Sequence, residues 1–199
     1  MEGTVHPADR RILIERDPPA AILNRDYPPP AFIGDVDNAP VVILMGNGGY
    51  DPQATPLEFP NEGSVTRYIA YLRKPRPIEP NLISPYYAQH YAAPLIRTGK
   101  AVIVNACAYR SSRKMNAGGR LQPLADALPS VSVARNWVQN ELKVAANAGD
   151  RLVVVHRPGL WCLPPGDGPN FWQAVNPEWA RKYLPSRFRA LIEDFLSHR

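Results

Sequence analysis

Val41-Val42-Ile43-Leu44-Met45-Gly46-Asn47-Gly48-Gly49-Tyr50-Asp51-Pro52 is the stretch that decides how this chain is read. An unbroken apolar run, rich in β-branched residues, stops abruptly at glycines that carry Asn, Tyr and Asp. A strand buried on both faces shows continuous rather than alternating apolar residues, which marks a central strand of a parallel sheet. In open parallel sheets, ligands bind just beyond the carboxyl ends of the strands. Residues 46–52 are therefore expected to form a tight turn at a site. Glycine admits positive φ and lets the backbone approach a ligand, and successive turn N–H groups can cradle an anion.

Two further runs end in the same way. Ala101-Val102-Ile103-Val104 leads into Asn105-Ala106-Cys107-Ala108-Tyr109-Arg110-Ser111-Ser112-Arg113-Lys114, and Leu152-Val153-Val154-Val155 leads into His156-Arg157-Pro158-Gly159-Leu160-Trp161. Parallel strands would bring Asn47, Asn105 and His156 to one edge of the sheet. Helical patterns separate the strands. One is expected over 63–72. A second is expected over 84–99, with Ser84 as N-cap, Pro85 at the first helical position and Gly99 as the stop. A third starts near Ser130 or Ser132, and a fourth near Ser186 with Phe188, Leu191, Ile192, Phe195 and Leu196 on one face. The alternation predicts an α/β fold: a three-layer α/β/α sandwich around a mainly parallel sheet of about four strands. Residues 1–31 form a proline-rich arm expected to pack on this 32–199 domain, with Pro28-Pro29-Pro30 as an extended connection.

Bulk properties narrow the classes. At 199 residues, with 45% hydrophobic residues, the chain has material for a single domain with a sizeable core. A net charge of +5 favours an anionic partner. No apolar run approaches the roughly 20 residues of a membrane span, and residues 1–7 lack a signal-peptide pattern. Cys107 and Cys162 form no metal-ligand pair of the C-x-x-C type. The expectation is a reduced, cytoplasmic, metal-free and cofactor-free monomer. The glycines lack the Lys-Ser/Thr of a phosphate-binding loop and the third Gly of the dinucleotide fingerprint, and there is no G-x-S-x-G elbow.

The three strand ends resemble the active-site motifs of the uracil-DNA glycosylase superfamily. The first such motif reads GQDPYH in one branch and G-x-N-P-G in another. Read without a gap, Gly46 and Tyr50 match the Gly and Tyr of the former, with Gly48 at the place of the catalytic Asp. Shifted by one, Asn47 matches the catalytic Asn and Gly49 the second Gly of the latter, with Met45 at the first Gly. Val102-Ile103-Val104-Asn105 is similar to the strand whose terminal Asn reads the uracil edge. His156 and Leu160 keep the spacing of H-P-S-P-L, in which the His stabilises the leaving anion and the Leu wedges into the duplex. The lead-in Phe32-Ile33-Gly34-Asp35 is also similar. The resemblance spans about residues 32–161 and implies excision of uracil or a related damaged base from DNA, as in DNA repair.

The chemistry asks for the same residue types. Cleavage of an N-glycosidic bond generates an oxocarbenium-like sugar and an anionic base. A donor must stand where that charge develops, which is the role of His156. Asn47 or Asp51 would position the water. Asn105 can pair with a pyrimidine edge, and Tyr50 can stack on the base, beside the backbone of Gly46, Gly48 and Gly49. Arg110, Ser111, Arg113, Lys114 and Arg157 would contact phosphates, with Leu160 as the wedge. Plainer readings stand beside these. Asn47 suits a tight turn, Asn105 a loop cap, Leu160-Trp161 a core position, and Tyr86, Tyr87 and Tyr91 helix packing. The rival class is a non-catalytic nucleic-acid- or nucleotide-binding module on the same fold.

Overall fold

The run beginning at Val41 becomes the middle strand of a sheet that has five strands among the described residues. The structure is a computed structural model that describes residues 4–20, 22–112, 118, 119, 121–164, 166, 168–173 and 186–199. Strands β2 (Val41–Gly49), β3 (Ala101–Ser111), β4 (Leu152–Val155) and β5 (Phe171–Gln173) pair in parallel. Among the described residues only β1 (Phe32–Ile33) runs antiparallel in the sheet, against Val104 and Ile103 of β3, and the strand order is β1-β3-β2-β4-β5. The sheet thus has five strands rather than about four. The edge strands β1 and β5 are two and three residues long, too short for a residue pattern to announce them.

Continuous burial follows from cover on both faces. Val42, Leu44, Val102, Val104, Val153 and Val155 belong to one core cluster, while Val41, Ile43, Ile103 and Val154 belong to another. Side chains alternate across a strand, so the two clusters lie on opposite faces. Helices α6 (Gln122–Asp126) and α7 (Pro129–Trp137) contribute Ala125 and Val131 to the first cluster. Helices α3 (Glu62–Arg73) and α9 (Ser186–Ser197) contribute Val65, Tyr68, Tyr71, Phe188 and Ile192 to the second.

Three expectations change in detail. Gly46–Gly49 is strand, not turn: β2 continues beside β3, pairing Asn47 with Cys107 and, after an irregularity, Gly48 with Arg110 and Gly49 with Ser111. A long neighbouring strand offers partners to backbone groups that a turn would leave to solvent, and this outweighs glycine's local preference. The helix expected over 84–99 is two short helices, α4 (Pro85–Ala88) and α5 (Ala93–Arg97). Pro94 has no N–H to continue the ladder, and its ring would clash with the carbonyl four residues back. Finally, α7 takes its cap from afar. The Ser130 amide and hydroxyl both donate to the Asp9 carboxylate, at 3.0 and 2.6 Å. From α7 the chain passes through a π turn (Val138–Leu142) into α8 (Lys143–Asn147).

The N-terminal arm carries helix α1 (Arg10–Arg16), and its Leu13 and Leu23 sit in the first core cluster. No helix among the described residues is long and apolar enough to cross a membrane.

Candidate functional site

Asn105 and His156 flank β2 at one level. Asn105 pairs with Met45, while Val155 pairs with Leu44 and the next amide, that of His156, donates to the Leu44 carbonyl at 2.8 Å. Both side chains are almost fully buried, at 3% and 1% exposure. The Asn105 amide nitrogen donates to the Pro30 carbonyl at 2.6 Å and to the Tyr87 hydroxyl at 2.9 Å. Asn105 Oδ1 and both ring nitrogens of His156 have no hydrogen-bond partner among the described residues. A buried polar atom left unpaired costs about 1–3 kcal/mol, and such groups are rare enough in native folds that each calls for a reason.

Burial sets the charge state here. It pulls the His156 pKa down to about 4, with neighbouring His90 and Arg157 acting in the same direction. Burial also lowers His90 to about 4. The His90 Nδ1 accepts from the Ala92 amide at 3.2 Å. At neutral pH both imidazoles are therefore neutral, and His156 has one N–H and one lone pair to offer. Burial pushes Tyr87 up to about 12 against the opposing effect of Asn105, so its hydroxyl keeps its proton.

The glycine segment serves packing more than a ligand. A Cβ on Gly48 would come within 2.4 Å of Pro30 Cγ, so the close approach permitted by glycine is used by the chain's own arm. Gly46 is a buried strand residue, while a Cβ on Gly49 would meet nothing within 4 Å. Asn47, two residues beyond Met45, donates from its amide to the Gly48 carbonyl at 3.0 Å. Tyr50 stacks on Tyr27, which stacks on Phe59, with centroids 6.4 and 5.8 Å apart. Asp51 is exposed, and its Oδ1 accepts from the Gln53 and Ala54 amides at 2.8 and 2.9 Å. These bonds hold its pKa below the usual value. Asp51 thereby organises the start of helix α2 (Thr55–Glu58).

Several residues expected at a DNA surface prove internal. Arg110 is 3% exposed. It pairs with Glu58 at 2.8 Å and donates to the carbonyls of Pro28 and Gly49 at 3.1 and 3.3 Å. A guanidinium spent on a carboxylate and two carbonyls has little left for phosphate. Ser111 is buried at the end of β3. Leu160 is 1% exposed within the first core cluster, beside Trp161, whose indole donates to the Met45 carbonyl at 3.1 Å. A wedge must reach solvent; Leu160 here is core. Arg157 is half-buried beside Tyr86 and adopts a left-handed backbone at φ 71°. Arg113 and Lys114 lie outside the described residues.

Sequence reasoning missed Glu58 and assigned Tyr87 to packing alone. Nothing local marks either one: each acquires its role from a partner 52 or 18 positions away. A cavity of about 900 Å³ lies around edge strand β1, between the arm, α3 and α7, with Phe32, Ile69, Leu72 and Trp137 on its wall. Asn105 also borders it, whereas Asn47 and His156 do not, so the three strand-end residues share a sheet edge but not this cavity. Comparison of the chain with protein-family models, with curated proteins and with solved structures finds no match.

Proposed function

We propose that this chain is a DNA base-excision glycosylase, hydrolysing the N-glycosidic bond of uracil or a related damaged base on a three-layer α/β/α fold. The observation that carries the reading is the pair of buried side chains with unpaired polar atoms, Asn105 and His156, on the strands either side of β2. A neutral imidazole suits the leaving group. It donates a hydrogen bond to the base anion as charge develops, without first releasing a proton to solvent. Asn105 orients the base. Next to His156 in the chain, Arg157 is half-buried and lies beside Tyr86, which is 41% exposed. The net charge of +5 suits a polyanion.

The rival, a non-catalytic module that binds a base or nucleotide, has its own support. Gly48, at the catalytic Asp position of one motif alignment, is packed against Pro30. Asp51 is occupied by its own turn. Alkali-revealed cleavage of labelled oligonucleotides bearing uracil, hypoxanthine, xanthine and mismatches separates the two readings. Excision is expected on at least one of them, and binding without excision selects the module. Given excision, His156→Ala should lower the single-turnover rate by roughly a hundred- to a thousand-fold. Asn105→Ala should impair excision more than nonspecific DNA binding. Asn47→Ala and Asp51→Ala, compared side by side, identify the residue that positions water. An excision rate untouched by all four would place the chemistry elsewhere.

A further inference from the structure

An asparagine free to rotate can offer a nucleobase its donor, its acceptor or both. Asn105 is not free. The Pro30 carbonyl can only accept a hydrogen bond, so the amide atom 2.6 Å from it is the NH2 group. The second N–H of that group points to the Tyr87 hydroxyl at 2.9 Å. Both amide protons are thus used within the protein, and Oδ1 is left as a buried, pure acceptor with no partner among the described residues. The Tyr87 oxygen accepts from Asn105, which leaves its own O–H to be donated. No hydrogen bond given by that O–H is found among the described residues. Tyr87 is itself only 2% exposed.

We infer that Tyr87 is a specificity residue: its O–H and Asn105 Oδ1 together read a lactam or imide edge, an N–H beside a C=O. The inference rests on the proposal that a nucleobase enters this site. Uracil and hypoxanthine present that edge. Cytosine and adenine present a ring nitrogen acceptor where the N–H should be, and an amino group where the C=O should be. Against them Oδ1 faces a lone pair and the Tyr87 proton faces another proton. Pro30 prevents the compensating 180° flip of the amide, so the site cannot adapt to the inverse pattern. The arm that carries Pro30 therefore helps set the specificity of a site built on β3.

Binding of free bases tests this without requiring turnover. Calorimetric titration of the full chain with 1-methyluracil, 1,3-dimethyluracil and 1-methylcytosine, in which N1 is blocked as it is in DNA, should give 1-methyluracil at least tenfold tighter than either of the others. Tyr87→Phe keeps the ring and removes only the hydroxyl. It should weaken 1-methyluracil about tenfold, the effect of one buried hydrogen bond, and leave 1-methylcytosine unchanged, whereas a merely structural role would weaken both alike. Near-ultraviolet circular dichroism checks that the variant keeps its packing. Equal binding of 1-methyluracil and 1,3-dimethyluracil, no effect of Tyr87→Phe on the 1-methyluracil-to-1-methylcytosine ratio, or no binding of any base overturns the inference. Excision of uracil from oligonucleotides is scored in parallel. Excision without this selectivity removes the inference and leaves the glycosylase proposal standing. Selectivity without excision does the reverse.

Discussion

At the scale of single residues, the chemistry of this chain lies in side chains whose ordinary properties burial has altered. His156 is the clearest. In the unfolded chain it takes up a proton near its ordinary pKa of 6.5, but in the fold only near 4. Between those values the unfolded state binds more protons, so stability falls as pH falls through that window and is fully present above 6.5. His90 acts in the same direction. The urea midpoint should therefore drop between pH 6.5 and 4, and His156→Phe should flatten that drop relative to the parent. Equal slopes for the two proteins would show that His156 is not buried neutral. The two arginines of the expected DNA surface should also part company. Arg110→Ala strands Glu58, whose pKa burial already raises against the pull of Arg110. Breaking such a buried pair costs about 3–5 kcal/mol, which chemical denaturation would read as a large loss of stability. Arg157→Ala, by contrast, is read in DNA binding. If Arg157 contacts a phosphate, the slope of log affinity against log salt should flatten by about one unit.

At the scale of elements, the edge between β2 and β3 is shaped by the segment laid across it. Gly48 has no side chain because Pro30 occupies the space, and Pro30 in turn holds Asn105 through its carbonyl. Gly48→Ala should push Pro30 away. Overpacking of this kind costs about 1–3 kcal/mol, and the displacement would also release the Asn105 amide. The variant should thus lose thermal stability and, on the reading proposed above, discrimination between bases. Gly49→Ala, which meets open space, should lose neither. A thermal scan of the two variants with the parent gives the answer. If Gly48→Ala proves as stable as Gly49→Ala, Pro30 does not pack as described. A second element, Pro158–Trp161, is a single 3₁₀ turn whose Leu160 and Trp161 close the first core over the carboxyl end of the sheet. It brings the strained Arg157 next to His156, with a backbone conformation that costs a non-glycine residue of order 1–3 kcal/mol.

At the scale of the whole molecule, the N-terminal arm is integral to the fold. Leu13 and Leu23 fill the first core, the Asn24 amide donates to the Arg110 carbonyl at 2.8 Å, and Pro28 accepts from the Arg110 guanidinium. Asp9, fully buried, accepts from the Tyr109 hydroxyl at 2.9 Å as well as from Ser130. Hydrogen bonds to a charged group contribute about 1.5–3 kcal/mol each. Asp9→Ala, which removes several at once, should cost several kcal/mol by denaturant unfolding. Removal of residues 1–31 should abolish the cooperative transition, because it uncovers one face of the sheet and deprives Arg110 of the Pro28 carbonyl and Asn105 of the Pro30 carbonyl. A truncated chain that unfolds cooperatively with the parent's midpoint would contradict this.

How much of this was legible in advance follows the range of each interaction. The strands Val41, Ala101 and Leu152 begin were readable because burial on both faces demands unbroken apolar runs, and the C-terminal helix because its apolar face recurs at the helical period. Those are local patterns, written in consecutive residues. So was the presence of Asn105 and His156 just where two runs give way to polar residues. What they do was not local. Whether glycines 46–49 turn or extend depended on the length of β3, and whether Arg110 meets phosphate or Glu58 depended on a carboxylate 52 residues away. Tyr87 acquired its partner in Asn105, and Asn105 its lock in Pro30, only when the arm crossed the sheet. The sequence by itself determined the sheet and the residues along its edge. The tertiary structure alone decided which of their donors and acceptors remained unspent, because a hydrogen bond is settled by which groups meet in space and not by their order along the chain.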